Sequence, residues 1–151
     1  MSRIKKEIRT ELVIKASPAI VWSVLTDFAQ YPSWNPFIKW IKGEAIEGSK
    51  ITALIEPPGA SGMTFKPVVL SIVPQKEFRW LGHLFIPGLF DGEHIFELYE
   101  NSDGSTTFVQ REEFKGLLVG LFTKMLDTNT MQGFEVMNRK LKERAEALAT
   151  L

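Results

Sequence analysis

Polar and apolar residues alternate over 3–14, with Ile8, Leu12 and Ile14 on one side. That period of two predicts a strand with one wet face. The period changes in SPAIVWSVLTDF. Ser17 is a candidate N-cap and Pro18 suits the first helical position. Ile20, Val21, Val24 and Leu25 form an apolar stripe at helical spacing, and the helix is expected to stop near Asp27. A second short helical turn is predicted over 29–33, and Pro36 returns Asn35 to extended structure. Alternating runs then predict strands over 37–46, 50–56, 64–73, 77–86, 93–100 and 106–114. They are separated by Gly48-Ser49, the loop PPGASGM, Pro74-Gln75-Lys76, the loop PGLFDG and the hairpin turn NSDGS. From about Leu121, the residues Phe122, Met125, Asn129, Gly133, Val136, Lys140 or Leu141, Ala145 and Leu148 recur at three and four. This predicts one amphipathic helix of about 28 residues, roughly 40 Å long.

Strand, two short helices, about six strands and one long helix make a single α+β domain over 1–151. The connections are too short for crossover helices, so the strands pair antiparallel. One long helix must then cover one face of a curved sheet.

Composition narrows the function. Lys and Arg together number 18, as do Asp and Glu, so the chain is formally neutral and lacks the basic excess of a phosphate-backbone binder. No nucleic-acid partner is expected. The absence of cysteine excludes disulfides, thiolate metal sites and thiol nucleophiles. The only two histidines, His83 and His94, stand far apart in the chain without metal-binding spacing, so no metal is expected. GASG lacks the Lys-Ser/Thr ending of a phosphate loop, and no Gly-x-Ser-x-Gly elbow occurs. No cofactor is expected. The N-terminal stretch is not a secretory signal and no apolar run approaches a membrane span, which predicts a cytoplasmic protein without stable membrane insertion.

Four stretches carry a resemblance: IKASPAIVWSVLTDFAQYPSWNPFI, FRWLGHLFIPGLFDGEHIFEL, GSTTFVQREEFKGLL and FEVMNRKLKERAEA. In this order the chain resembles the helix-grip fold of the START and Bet v 1-like superfamily. It is most similar to the bacterial polyketide cyclase/dehydrase branch known as SRPBCC proteins. The resemblance implies a curved antiparallel sheet of about seven strands wrapped around the C-terminal helix. It also implies a cavity between them, where family members hold lipids, hormones, flavonoids or polyketides.

Strand parity selects the side chains that reach such an interior. Trp80 shares a face with Phe78, Gly82 and Leu84, and His83 points away. His94 shares a face with Phe96 and Leu98, and Phe108 with Gln110, Glu112 and Phe114. Inward aromatic faces would carry His94, Gln110 and Glu112 into the cavity. Burial raises a carboxyl pKa and imidazole titrates near neutrality, so His94 and Glu112 are the candidate proton-transfer pair. The competing reading has His94 bonded to a neighbouring strand, Gln110 orienting ligand and Glu112 in water. Phe122, Met125, Asn129 and Gly133 place ligand contacts on the long helix, or plain packing. Trp34 belongs with Tyr31 and Pro36 either to a structural corner or to the cavity mouth. PPGASGM and GLLVGLF are candidate entrance segments, or an ordinary solvent loop and helix lead-in.

The primary expectation is a binding module for a hydrophobic or aromatic small molecule, in a cavity on the order of several hundred Å³. An enzyme, a polyketide cyclase or dehydratase using His94 and Glu112, is the first alternative. A protein-interaction domain using the groove is the second. The chain is expected to be a monomer or homodimer.

Overall fold

The structure is a computed structural model that describes residues 5–150. Two positions of the first predicted strand, Arg3 and Ile4, lie outside the described residues. Strand β1 (Lys5–Ile14) turns Ile8 and Ile14 inward. Helix α1 (Pro18–Thr26) starts where Ser17 Oγ accepts the Ile20 N–H, and it ends at Asp27. A 3₁₀ turn (Phe28–Gln30) leads into α2 (Tyr31–Trp34). Asn35 is extended before Pro36, and its Oδ1 accepts the Phe37 and Ile38 N–H groups. The buried Tyr31 hydroxyl donates to the Leu25 carbonyl. Burial first, and then the nearby Asp27 charge, push the Tyr31 phenol well above its ordinary pKa. The ring-rich corner is therefore a device that seats the two helices.

The remaining strands are β2 (Ile38–Lys42), β3 (Thr52–Ile55), β4 (Met63–Phe65), β5 (Val68–Val73), β6 (Glu77–Leu84), β7 (Phe90–Glu100) and β8 (Thr106–Lys115). All pairings are antiparallel, in a five-stranded sheet β1-β8-β7-β6-β5 and a three-stranded sheet β2-β3-β4. Backbone bonds from Ile51 N to Pro67 O and from Val69 N to Ser49 O, each 2.9 Å, join the two sheets into one curved layer.

Several strands are shorter than the sequence expectation, β2 ending at Lys42 and β6 at Leu84, and two further boundaries differ for identifiable reasons. The run 64–73 splits into β4 and β5 because Pro67 has no N–H to donate, and the chain turns a corner there. The PGLFDG loop is shorter than expected: Phe90, Asp91 and Gly92 are strand, paired with Leu84, His83 and Gly82. Cross-strand pairing overrides the turn preference of Asp and Gly.

The C-terminal helical segment is also less regular than its apolar period predicts. A 3₁₀ turn (Val119–Phe122), a single turn α3 (Thr123–Met125) and a π turn (Leu126–Thr130) precede α4 (Met131–Ala149). In the π turn, Thr128 Oγ1 bonds back to the Lys124 carbonyl, while Asn129 Nδ2 reaches out to the Pro58 carbonyl at 2.9 Å. The wider turn rotates the face that follows. The buried face of α4 is Gly133, Phe134, Met137, Asn138, Leu141 and Ala145; Val136 is half-buried, and Lys140 and Leu148 are exposed.

The helix sits on the sheet through Gly133, whose missing side chain is replaced by the Phe37 ring. Phe37 in turn meets Phe134 edge-on, 5.6 Å between centroids. On the opposite, wet face of the sheet, Arg111 bridges Glu97 at 2.8 Å and Glu7 at 3.1 Å. Burial acts to raise the Glu97 pKa, but the Arg111 guanidinium outweighs it and holds that carboxyl below its usual range.

Two stability measurements test these contacts. An exposed helical Gly→Ala change gains about 1 kcal/mol. Gly133→Ala will instead destabilise by about 1 to 3 kcal/mol in urea unfolding, because the added methyl drives into the buried Phe37 ring. Glu97→Gln will lower the urea midpoint at neutral pH. A carboxyl with a depressed folded-state pKa contributes stability above its unfolded value and loses it as pH falls through the folded value. The gap between the two proteins will therefore narrow as pH falls below the ordinary carboxylate range.

Candidate functional site

The inner face of the curved layer carries two glycines opposite one another, Gly82 on β6 and Gly92 on β7. Side chains at these positions would fill the space between sheet and helix. A Cβ on Gly82 would find only Pro67 nearby, at 3.7 Å. The place of a Cβ on Gly92 is taken by the Glu112 carboxylate, with Oε2 the nearest atom. The glycine pair thus floors a cleft, and one half of the floor is topped by a carboxylate.

The cleft holds about 130 Å³. This is smaller than the several hundred Å³ expected from sequence, because Phe37, Trp80 and Phe114 project into the layer between sheet and helix. Trp80 and Leu84 line one wall, Ile55, Met63 and Phe65 another, and Phe122, Met125 and Leu126 the helical side. Pro57, Ala60 and Ser61 of the PPGASGM loop complete it. Asn129, bonded to Pro58, fastens that loop to the π turn. A neighbouring hollow of about 220 Å³ is lined by Gly133 and Val136; Phe37, Pro57 and Ala60 border both spaces and separate them. Beside the lining residues Leu84, Phe90 and Phe122, the side chains of Phe85, Ile86, Leu117 and Leu121 form an exposed apolar border. Bonds from Leu117 N to Gly88 O and from Leu118 N to Leu89 O tie its two segments together.

Of the residues singled out from sequence, Trp80, Glu112, Phe122 and Met125 line the cleft. His94 lies behind it, 1% exposed, with the rings of Trp80 and Phe134 each 5.0 Å away. Phe96 and Phe108 are fully buried and stack on each other in the core. Gln110 points inward as parity requires, but its amide is engaged by protein. Trp34 does not line the cleft and packs on Tyr31, 5.1 Å between centroids. Gly82, Gly92, Phe37 and Thr130 were not singled out as site residues. The one signal that pointed to them was a glycine in strand β6 and another just before the expected start of β7.

The buried polar groups form a directed chain. His94 Nε2 donates to Gln110 Oε1 at 2.8 Å, and Gln110 Nε2 donates to Asn138 Oδ1 at 2.7 Å. Asn138 Nδ2 donates to Thr10 Oγ1 at 2.7 Å, whose hydroxyl donates to the Gln110 carbonyl at 3.0 Å. With Nε2 committed as donor, His94 turns Nδ1 toward Glu112. Nδ1 lies 3.3 Å from Glu112 Oε1, within ion-pair range but off hydrogen-bond alignment. The two side chains thus face each other as a pair. Glu112 is the half that reaches the cleft. Among the described residues, no group of three or more His, Cys, Asp or Glu side chains is placed to hold a metal ion. No helix among them is long and apolar enough to cross a membrane.

Solved structures share this fold. The fold matches the Zhui aromatase/cyclase from Streptomyces sp. R1128 with a TM-score of 0.77 at 14% identity, covering 95% of this chain and 94% of that one. It matches a START superfamily protein from Mycobacterium smegmatis with a TM-score of 0.72 at 24% identity, over 94% and 98% of the two chains. Norcoclaurine synthase from Thalictrum flavum gives 0.75 at 14% identity, over 98% of each. Likenesses at these identities establish the helix-grip fold. Among curated proteins, none matches the sequence closely enough to count as a relative. The family described as polyketide cyclase/dehydrase and lipid transport matches residues 5–146. Nearly the whole described chain is covered, and the chain belongs to that family.

Proposed function

We propose that this domain binds a small hydrophobic or aromatic molecule in the cleft between the curved sheet and the C-terminal helix. The observation that carries this reading is the unfilled floor at Gly82. A glycine inside a strand weakens it, and one that lines a cleft with only Pro67 at van der Waals distance leaves room for a second molecule to approach closely. Apolar walls from Trp80, Met63, Phe65 and Phe122 supply the binding surface. An engineered cavity of about 150 Å³ holds a single benzene ring, which sets the scale of an occupant that needs no opening of the loop.

Catalysis is a second reading, favoured by one observation: Glu112 stands on the cleft wall with His94 Nδ1 behind it. In a cyclisation or dehydration, Glu112 would take a proton from an activated C–H of the ligand or give one to a departing hydroxyl. His94 would stabilise the accompanying change of charge. His94 does not touch the ligand in this arrangement and acts through Glu112.

Native mass spectrometry of gently purified protein checks for a co-purifying small molecule. Displacement of an apolar fluorophore then measures the cleft directly. Gly82→Val places an isopropyl group in the open space and will weaken probe binding about tenfold or more, while β-propensity keeps the strand intact. Unchanged affinity in that variant refutes the location. Glu112→Gln separates the two readings. For a carrier, affinity for a purely apolar probe stays within a few-fold; for an enzyme, turnover falls by roughly 10²-fold or more.

A further inference from the structure

We infer that the cleft selects a one-ring ligand carrying an O–H or N–H donor and rejects the matching carboxylate. This deepens the binding reading above and rests on it.

The selectivity comes from a single group. Among the described residues, no lysine or arginine lines the cleft, and Glu112 is the one acidic side chain that does. Its carboxylate is held from two sides. Oε1 faces His94 Nδ1 at 3.3 Å, and Oε2 lies over Gly92, itself part of the lining. With Oε1 turned to His94, Oε2 is the oxygen left over Gly92, and a carboxylate oxygen there offers a lone pair.

The other polar lining groups do not reverse this sign. Ser61 and Thr130 are neutral hydroxyls. His83, which strand parity alone turns away from the interior, also lines the cleft, but its Nδ1 meets the Asp91 carboxylate at 2.7 Å and is not free for an anion. A carboxylate ligand would meet the Glu112 oxygen in a partly desolvated space with no cation to receive it. A hydroxyl or ammonium would replace the water that Oε2 loses on binding. The position is built for this. With any side chain at position 92, the carboxylate would have to move.

The test uses four ligands of one ring: toluene, benzyl alcohol, benzylamine and benzoate. Affinities are read from amide shifts of Gly82 and Gly92 in the intact protein at neutral pH. Benzylamine and benzyl alcohol should bind more tightly than toluene, and benzoate should bind most weakly, with benzylamine ahead of benzoate by roughly tenfold or more. In Glu112→Gln that ratio should collapse to within about threefold, because the charge is gone and the amide offers a donor as well. Gly92→Ala, which displaces the carboxylate without removing it, should shrink the ratio while toluene still binds. Benzoate binding as well as benzyl alcohol, or a preference that survives Glu112→Gln, overturns the inference but leaves the apolar cleft standing. Failure of toluene to bind at all overturns both.

Discussion

The buried Gln110 amide is where sheet and helix are locked in register. It takes a hydrogen bond from His94 on β7, gives one to Asn138 on α4, and its own backbone carbonyl receives Thr10 from β1. Four polar side chains are thereby joined inside a layer otherwise built from Phe78, Phe96, Phe108 and Phe134. Such a network is costly when incomplete and specific when complete, because each donor has one acceptor and each acceptor one direction. Sliding α4 by one residue would break the Asn138 bonds to Gln110 and Thr10 together. Apolar contacts alone would tolerate that slip far better.

The same chain reaches the cleft indirectly. By committing His94 Nε2 to Gln110, it leaves Nδ1 as the atom that faces Glu112. Glu112 thus faces an imidazole whose orientation is set from α4 and β1 through Gln110. Gly92 makes room for the carboxylate on one strand, and Gly82 leaves room for an occupant on the next. Polar registry and missing side chains together make the site, and its apolar walls supply area. The family's description names both cyclase/dehydrase and lipid transport, and the two proposed readings differ in whether a proton moves.

How much of this was legible in the sequence depends on how local the cause is. Ser17-Pro18 specified the start of α1, and the inward parity of His94, Gln110 and Glu112 followed from an unbroken period of two in β7 and β8. The hairpin at Asp103-Gly104 and the extended Asn35 before Pro36 followed from turn and proline chemistry. Boundaries were less legible where pairing overrides propensity, as at Phe90-Asp91-Gly92. The face of α4 shifted because the π turn depends on Asn129 reaching Pro58, a contact 71 residues away in sequence.

The chain by itself determined the order of elements, their inward faces and the absence of thiol chemistry. These depend on residue type and on spacings of a few positions. Only the tertiary structure decided which inward polar groups meet the cleft and which are consumed by one another. His94 and Glu112 share a face and end in different surroundings because Gln110, itself held by Asn138 and Thr10 from two other elements, takes up His94 Nε2. It also decided the size of the cleft, since the Phe37 ring takes the space left by Gly133. Partnership between distant side chains is a property of packing, and no local pattern encodes it.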